Sequence, residues 1–539
     1  MPTPAATGTP LQTIQALPSP APSPSPTPSA TPTPDAALLA RYEMPPEARR
    51  SLALVGAVGP RDGGVSPDAF GAADGGYLQA LMRRLDAPLP SRWLSILLRR
   101  TLAARLTTPG GVNGADYAAE RAWLLLRMGE ANAARAVVQA VDTANYTPKL
   151  YQVAMNAMLA ASDPAGLCPH ADRAAAVVPA RGWTMAQAMC AALAGDNARA
   201  NALLRTARRR GVASGVDLLL VQKVIGAAGG GGAVTIEWPG VDQLTSWRFG
   251  LASATGASIP DDLYAGAGRQ VTYWRALSPA VPFAERVAAA EAAGAQGVLS
   301  NLALIDLYGA VDAADEAPGA ATAVAQDLRD AYTGATSETR LGALRRIWGE
   351  AARTEYARLV LTARAAVRVR PVAGNPDETR IVSSLLSAGL DRTAARWRPH
   401  AEEGGDAWAM LVLTDPDLPQ RLSYGELANY SGSGDAALKQ RMLFAGLAGL
   451  GRLAPDDIER AAQALDVRIG AENSWTRALD RAARDNQPGT VALLAAVGMQ
   501  TPRWRGVPPE VLYRIIGALR AVGLGGEARM IAAEAIART

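Results

Sequence analysis

Ser91 to Leu106 reads SRWLSILLRRTLAARL, and its apolar residues Trp93, Leu94, Leu97, Leu98, Leu102 and Leu106 recur at steps of three and four. That period lines them up on one broad face of an α-helix. Ala118–Met128, Lys149–Ala161, Asp217–Ile225, Arg340–Ala351 and Ala436–Leu447 repeat it, so the chain is expected to be helical nearly throughout from Asp35 onward. Thr147-Pro148 and Val507-Pro508 read as helix starts with proline at an early position, and Asn197 begins a helix after a Gly-Asp turn. One stretch breaks the pattern. Gly226–Gly240 carries four consecutive glycines and then an alternating Val-Thr-Ile-Glu-Trp, which reads as a flexible loop with a short strand at 229–240.

At 539 residues the chain is too long for one ordinary domain unless it is a repeat array. Internal similarity favours the array. Trp123 opens WLLLRMGEANAARAVVQA and Met189 opens MCAALAGDNARANALLRTA, each a helix, a glycine with an acidic residue, and an alanine-rich helix. Gly129–Glu130 and Gly195–Asp196 stand 66 residues apart, close to two units of 33 or 34. Leu385–Trp397 and Leu519–Ile531 have the same helix–Gly–helix form. This pattern resembles tetratricopeptide-like helical repeats. The resemblance implies an all-α fold, a right-handed α-solenoid of antiparallel helical hairpins, and a role as a binding surface. It carries no site residues with it. The expected organisation is a disordered tether over 1–34, helical-repeat regions over 35–228 and 241–539, and the glycine-rich loop between them.

The tether rests on LPSPAPSPSPTPSATPTPD, Leu17–Asp35, with proline at nearly every second position and no charged side chain before Asp35. Such a run cannot build a core and is expected to be extended, spanning on the order of 50 Å from Leu17 to Pro34 at about 3.1 Å per residue. Tethers of this kind commonly follow an export signal or lipid anchor. Met1–Pro34 contains no such signal, so one is expected upstream, and the periplasm or an envelope-tethered location is expected, with the cytoplasm as the alternative. No apolar run reaches the 18 or so residues of a membrane helix.

Both cysteines, Cys168 and Cys190, fall in Leu167–Cys190 with His170. A helix over His170–Val178, a Pro-Ala-Arg-Gly turn and a second helix from Trp183 put the cysteines about twelve and ten residues from the turn, at similar heights in a hairpin. A disulfide is the first reading, and it implies an oxidising compartment. Three others stay open: a metal site of Cys168, His170 and Cys190 completed by Asp172 or His400, a reactive Cys168 thiol at a helix start, and two free buried cysteines.

Catalytic signatures are largely absent. There is no Gly-x-Ser-x-Gly, His-Glu-x-x-His or Walker A lysine, and two histidines leave little for triad or metal chemistry. Gly266–Arg269 is too short for a dinucleotide fingerprint. Pro260–Asp262 and Pro455–Asp457 read as helix starts with acids at the positive dipole end. No enzyme activity, cofactor or metal is expected. The net charge of +4 is spread over 54 basic and 50 acidic residues, which argues against a nucleic-acid partner. The end of Arg205–Gly211, RTARRRG, reads as a solvated helix C-terminus, with binding of anionic lipid or nucleic acid as the other reading. The two Arg-Trp-Arg triplets, Arg396–Trp397–Arg398 and Arg503–Trp504–Arg505, are the candidate partner-binding residues, because an indole between guanidinium groups can stack on a sugar or peptide. The alternative is a tryptophan capping a helix pair. The expected function is a non-catalytic adaptor of the bacterial envelope holding a protein partner in a concave groove. A cell-wall accessory protein or enzyme that binds glycan, resembling the superhelical part of lytic transglycosylases, and a cytoplasmic regulatory scaffold are the alternatives.

Overall fold

The computed structural model describes residue 45 and residues 48–229, 232–314, 319–351, 354–418 and 420–539. The proline-rich segment 1–34 lies outside them. The chain divides into two units, Met1–Arg49 and Arg50–Thr539. In the first, the described residues are Pro45, Ala48 and Arg49, and Ala48 N–H donates to Pro45 O at 2.9 Å.

The second unit is all-α, with twenty-seven α-helices among the described residues. Its one sheet pairs two antiparallel strands, β1 (Leu54–Val55) and β2 (Leu106–Thr107), with Leu54 opposite Thr107 and Val55 opposite Leu106. The helices start where the sequence marks them. Thr147 caps Pro148–Ala160 by accepting Leu150 N–H at 3.2 Å, and Asp196 caps Asn197–Arg209 by accepting Arg199 N–H at 2.9 Å. The periodic segments form Arg92–Ala103, Gly114–Arg127, Gly215–Ala227, Ser337–Trp348 and Ala436–Leu450.

The repeat-like segments share one turn. Gly129 and Gly195 end their helices at φ 88° and 83°, a left-handed conformation that a Cβ would strain. In each, the glycine N–H bonds the carbonyl three residues back and the next N–H bonds the carbonyl five back: Gly129 to Leu126, Glu130 to Leu125, Gly195 to Ala192, Asp196 to Ala191. The same pair of bonds closes the turns at Gly389–Leu390 and Gly523–Leu524. Sequential helices then pack as hairpins, among them Gly114–Arg127 on Ala131–Gln139, Arg181–Leu193 on Asn197–Arg209, and Pro509–Ala521 on Gly525–Arg538.

An open array lets each repeat touch only its neighbours. Here the first helices of the unit also touch the last. Arg92–Ala103 packs on Gly114–Arg127 and Ala131–Gln139, and equally on Phe283–Gln296, Pro488–Gly498 and Gly525–Arg538. Gly489 N–H donates to Ala69 O at 2.8 Å, Arg538 Nη1 to Pro90 O at 2.9 Å, and Arg100 pairs with Glu527 at 2.9 Å. One large apolar core runs through these helices, with Leu94, Leu97, Leu98 and Leu102 fully buried, and a second, smaller core lies between Tyr273 and Leu361.

The expected strand after the glycine run is corrected. Residues 232–238 have no regular structure and belong to no sheet among the described residues, and an alternating pattern without a strand partner does not hold an extended ladder. Side chains hold the stretch instead: Lys223 Nζ donates to Val234 O at 3.3 Å and Trp238 Nε1 to Ser258 O at 2.8 Å.

Candidate binding cleft

Cys168 and Cys190 form a disulfide, with Sγ–Sγ 2.08 Å and Cα–Cα 5.3 Å. It ties the segment before Ala171–Val177 to Arg181–Leu193. With both sulfurs bonded to each other, neither is a thiolate for metal or nucleophilic chemistry, and among the described residues no three His, Cys, Asp or Glu side chains cluster to hold a metal. His170 is a core residue. It is buried, its ring stacks on Tyr146 at 4.3 Å, and burial pushes its pKa below the ordinary value. Asp172 faces Arg199 and Gln187.

The Arg-Trp-Arg triplets do not offer their indoles. Trp397 is 1 % and Trp504 2 % exposed. Each sits in a short 3-10 helix, Ala395–His400 and Trp504–Gly506, that turns the indole into the core and leaves the flanking arginines outside. Arg396, Arg503 and Arg505 are exposed, Arg398 pairs with Asp415 at 3.3 Å, and Arg505 Nε donates to Thr539 O at 3.3 Å. The stacking reading of these triplets is thereby corrected: apolar burial of the indole outweighs its display.

The polar groups that converge come from elsewhere. A cleft of about 710 Å³ lies between Ala351 and segments 354–359, 379–383, 406–410, 433–439 and 536–539. Asp406 opens the helix Asp406–Thr414 and is buried. Its carboxylate accepts from Tyr430 OH, from Ser433 Oγ at 2.6 Å and N–H at 3.2 Å, and from Lys439 Nζ at 3.0 Å. Burial alone would raise its pKa; the Ser433 and Tyr430 hydrogen bonds and the Lys439 charge overcome that and hold it below the ordinary value. Burial, then the Asp406 charge, pushes the Tyr430 phenol well up. Arg380 pairs with Asp377 and donates to Gly349 O at 2.9 Å, with its guanidinium 5.1 Å from the Trp348 ring centre. Arg538 pairs with Glu534 at 2.6 Å and lies 4.5 Å from the Tyr356 ring centre.

Three cationic side chains and one carboxylate side chain therefore line this cleft among the described residues, with Asp377 and Glu534 behind the arginines and the Thr539 main chain at its edge. Lys439 Nζ uses one hydrogen bond of the three it can donate. The lining carboxylate side chain, Asp406, has a lowered pKa, not a raised one. Two acids among the described residues are pushed up by burial, and neither lines the cleft: Glu130, to about 7, is paired with Arg99 at 2.9 Å, and Glu378, beside Thr379, accepts from Glu402 N–H at 3.3 Å. Ser433 Oγ is committed to Asp406, and Ser383 Oγ faces Met410 Sδ at 3.4 Å. The arrangement can bind an anionic or hydroxyl-bearing group, and it holds no activated nucleophile among these side chains.

Sequence reasoning picked none of these residues. Two signals pointed to them: Lys439 is one of three lysines in an arginine-rich chain, and YSGSGD, Tyr430–Asp435, is a glycine-serine loop between helices.

A second groove, of about 450 Å³, runs beside Trp123 on the Gly114–Arg127 helix and is walled by the segments around Asn156, Ser246 and Gln270. Comparison with protein-family models, with curated proteins and with solved structures finds no match to this chain.

Proposed function

We propose that this chain is a non-catalytic helical-repeat adaptor that binds an acidic segment of a protein partner in the cleft formed by Arg380, Lys439 and Arg538. The observation that carries the reading is the convergence of three cations on one cleft whose own carboxylate, Asp406, is saturated with hydrogen bonds. An incoming carboxylate would meet spare N–H donors and no unpaired acidic side chain among the described lining residues. The shared glycine turns support descent from tetratricopeptide-like hairpins, here with the two ends of the array joined. The envelope is the proposed location, supported by the Cys168–Cys190 disulfide. Among the described residues no helix is long and apolar enough to cross a membrane.

The test is site-specific photo-cross-linking in the native host. A photoreactive residue at Thr379, in the cleft, is expected to trap a discrete protein adduct that one at exposed Asp262 does not. Identical adducts from both positions, or none from Thr379, would refute the cleft as the partner site.

A further inference from the structure

We propose that the groove beside Trp123 is a binding site for a neutral saccharide. Of the eleven tryptophans, Trp123 is the most exposed, at 41 %, while most of the others are spent on the core. An indole left in water at the wall of a groove is a stacking platform, since its electron-rich face attracts the C–H edge of a ring. The groove volume falls in the usual range for small-molecule sites.

Charge selects the ligand class. Among the described residues Arg127 is the one charged residue lining the groove, and both its terminal nitrogens are turned to the backbone: Nη1 donates to Leu85 O at 2.6 Å and Nη2 to Met82 O at 2.5 Å, while Nε is buried. No carboxylate lines it. An anion finds one guanidinium whose terminal N–H groups are held by backbone carbonyls, and a cation finds no acid. What remains is a neutral ligand with one apolar face and a hydrogen-bonding edge, which describes a pyranose ring.

The edge has its partner in Gln270. Its carboxamide makes no hydrogen bond among the described residues and folds over Gly268, where a Cβ would lie 2.3 Å from Gln270 Oε1. Only a glycine at 268 admits the carboxamide in that position. A free carboxamide offers two donors and an acceptor, the complement of vicinal hydroxyls. Asn156, which accepts from Ser246 Oγ at 2.6 Å, closes the far wall, and Leu126 and Val271 form the apolar floor. The site is independent of the cation-lined cleft.

The full chain is titrated with maltotriose, cellotriose and the N-acetylglucosamine trimer, reading the Trp123 indole N–H resonance, assigned by its loss in Trp123→Phe. At least one trisaccharide is expected to shift that resonance saturably. Trp123→Ala should then weaken binding by about tenfold or more, as for an aromatic anchor, and Gln270→Ala by a smaller factor, with unchanged unfolding midpoints because neither side chain is in the core. The inference is overturned if no trisaccharide shifts the resonance, if Trp123→Ala binds as the parent does, or if inorganic phosphate or a proline-rich peptide shifts it and the saccharides do not.

Discussion

Glu534 is the point at which the two ends of the helical unit are joined, and replacing it tests that joint. Its carboxylate accepts from Ser91 Oγ at 2.6 Å, Arg92 N–H at 2.8 Å and Trp93 N–H at 3.2 Å, residues more than 440 positions away, and pairs with Arg538 at 2.6 Å. Ser91 to Trp93 begin the helix Arg92–Ala103, so the carboxylate sits at the positive end of a helix dipole as well. Glu534→Ala leaves the buried Arg92 N–H and the part-buried Trp93 N–H without this acceptor and Arg538 without its acid. Breaking a largely buried pair costs about 3–5 kcal/mol and each orphaned donor about 1–3, with part recovered by relaxation. A net loss of about 5 kcal/mol is expected, and about 3 for Glu534→Gln, which keeps one acceptor oxygen but no charge. A unit of this length has an unfolding entropy of about 1 kcal/mol/K, so Tm should fall by about 5 °C and about 3 °C respectively. Circular dichroism melts read this, with exposed Glu472→Ala as a control expected to change little. Combining Glu534→Ala with Ser91→Ala should cost less than the sum of the two, because they share a hydrogen bond. Falls below 1 °C in both Glu534 variants would show that the joint contributes nothing and that the unit behaves as an open row of hairpins.

Three further outcomes follow from single sites. The disulfide closes a loop with a sequence separation of 22, so reduction is expected to cost about 3 kcal/mol, read as a lower Tm and faster amide exchange confined at first to 168–190. Glu130, pushed up to about 7 by burial, binds its proton more tightly folded than unfolded. Its contribution is full below about 4.5 and is lost as pH rises to about 7, on the order of 3 kcal/mol at most; urea midpoints measured from pH 4.5 to 8 should show this decline relative to a flatter Glu130→Gln. Trp397→Ala and Trp504→Ala should each cost about 3–5 kcal/mol, with partner cross-linking at Thr379 retained at temperatures where the variants stay folded; loss of cross-linking at full stability would restore the stacking role.

Local pattern carried most of the helices, because the period of apolar side chains and the identity of the cap are both written within a few residues. Ser91–Leu106 illustrates where that ends. The helix stops at Ala103, and Leu106 is taken into β2 by a partner at Val55 that no local pattern announces. The Val-Thr-Ile-Glu-Trp alternation failed for the converse reason: a strand pattern without an edge to pair remains irregular. The cysteine pair was legible because a hairpin fixes relative heights over a short loop. The Arg-Trp-Arg triplets misled because sequence shows the arginines on both sides but not the direction of the indole. The cleft was not legible because five segments spread over nearly 190 residues build it. Glu534, in EARMIAAEAIART, reads as one more polar residue of a solvated helix face; only the return of the first helices to the last makes it a buried acceptor.

That return couples the joint to the proposed binding. Arg538 serves both, since it pairs with Glu534 on one side and lines the cleft on the other. A ligand that engages Arg538 in its present position binds the joined form, so by linkage it must strengthen the joint by as much as the joint strengthens it. The two variants at Glu534 then measure the stability of the joint itself. If joining is favourable by more than about 5 kcal/mol, both variants remain joined and partner affinity is unchanged, with only Tm lowered. If it is favourable by between about 3 and 5 kcal/mol, Glu534→Ala opens and loses affinity in proportion to its joined fraction, while Glu534→Gln still binds. At one fixed partner concentration the opened alanine variant would then gain less Tm than the parent, because only its joined fraction binds. An equal rise in the parent and in an alanine variant shown to be opened would mean that the partner does not sense Arg538, and the cleft would lose its cationic wall as a determinant of binding.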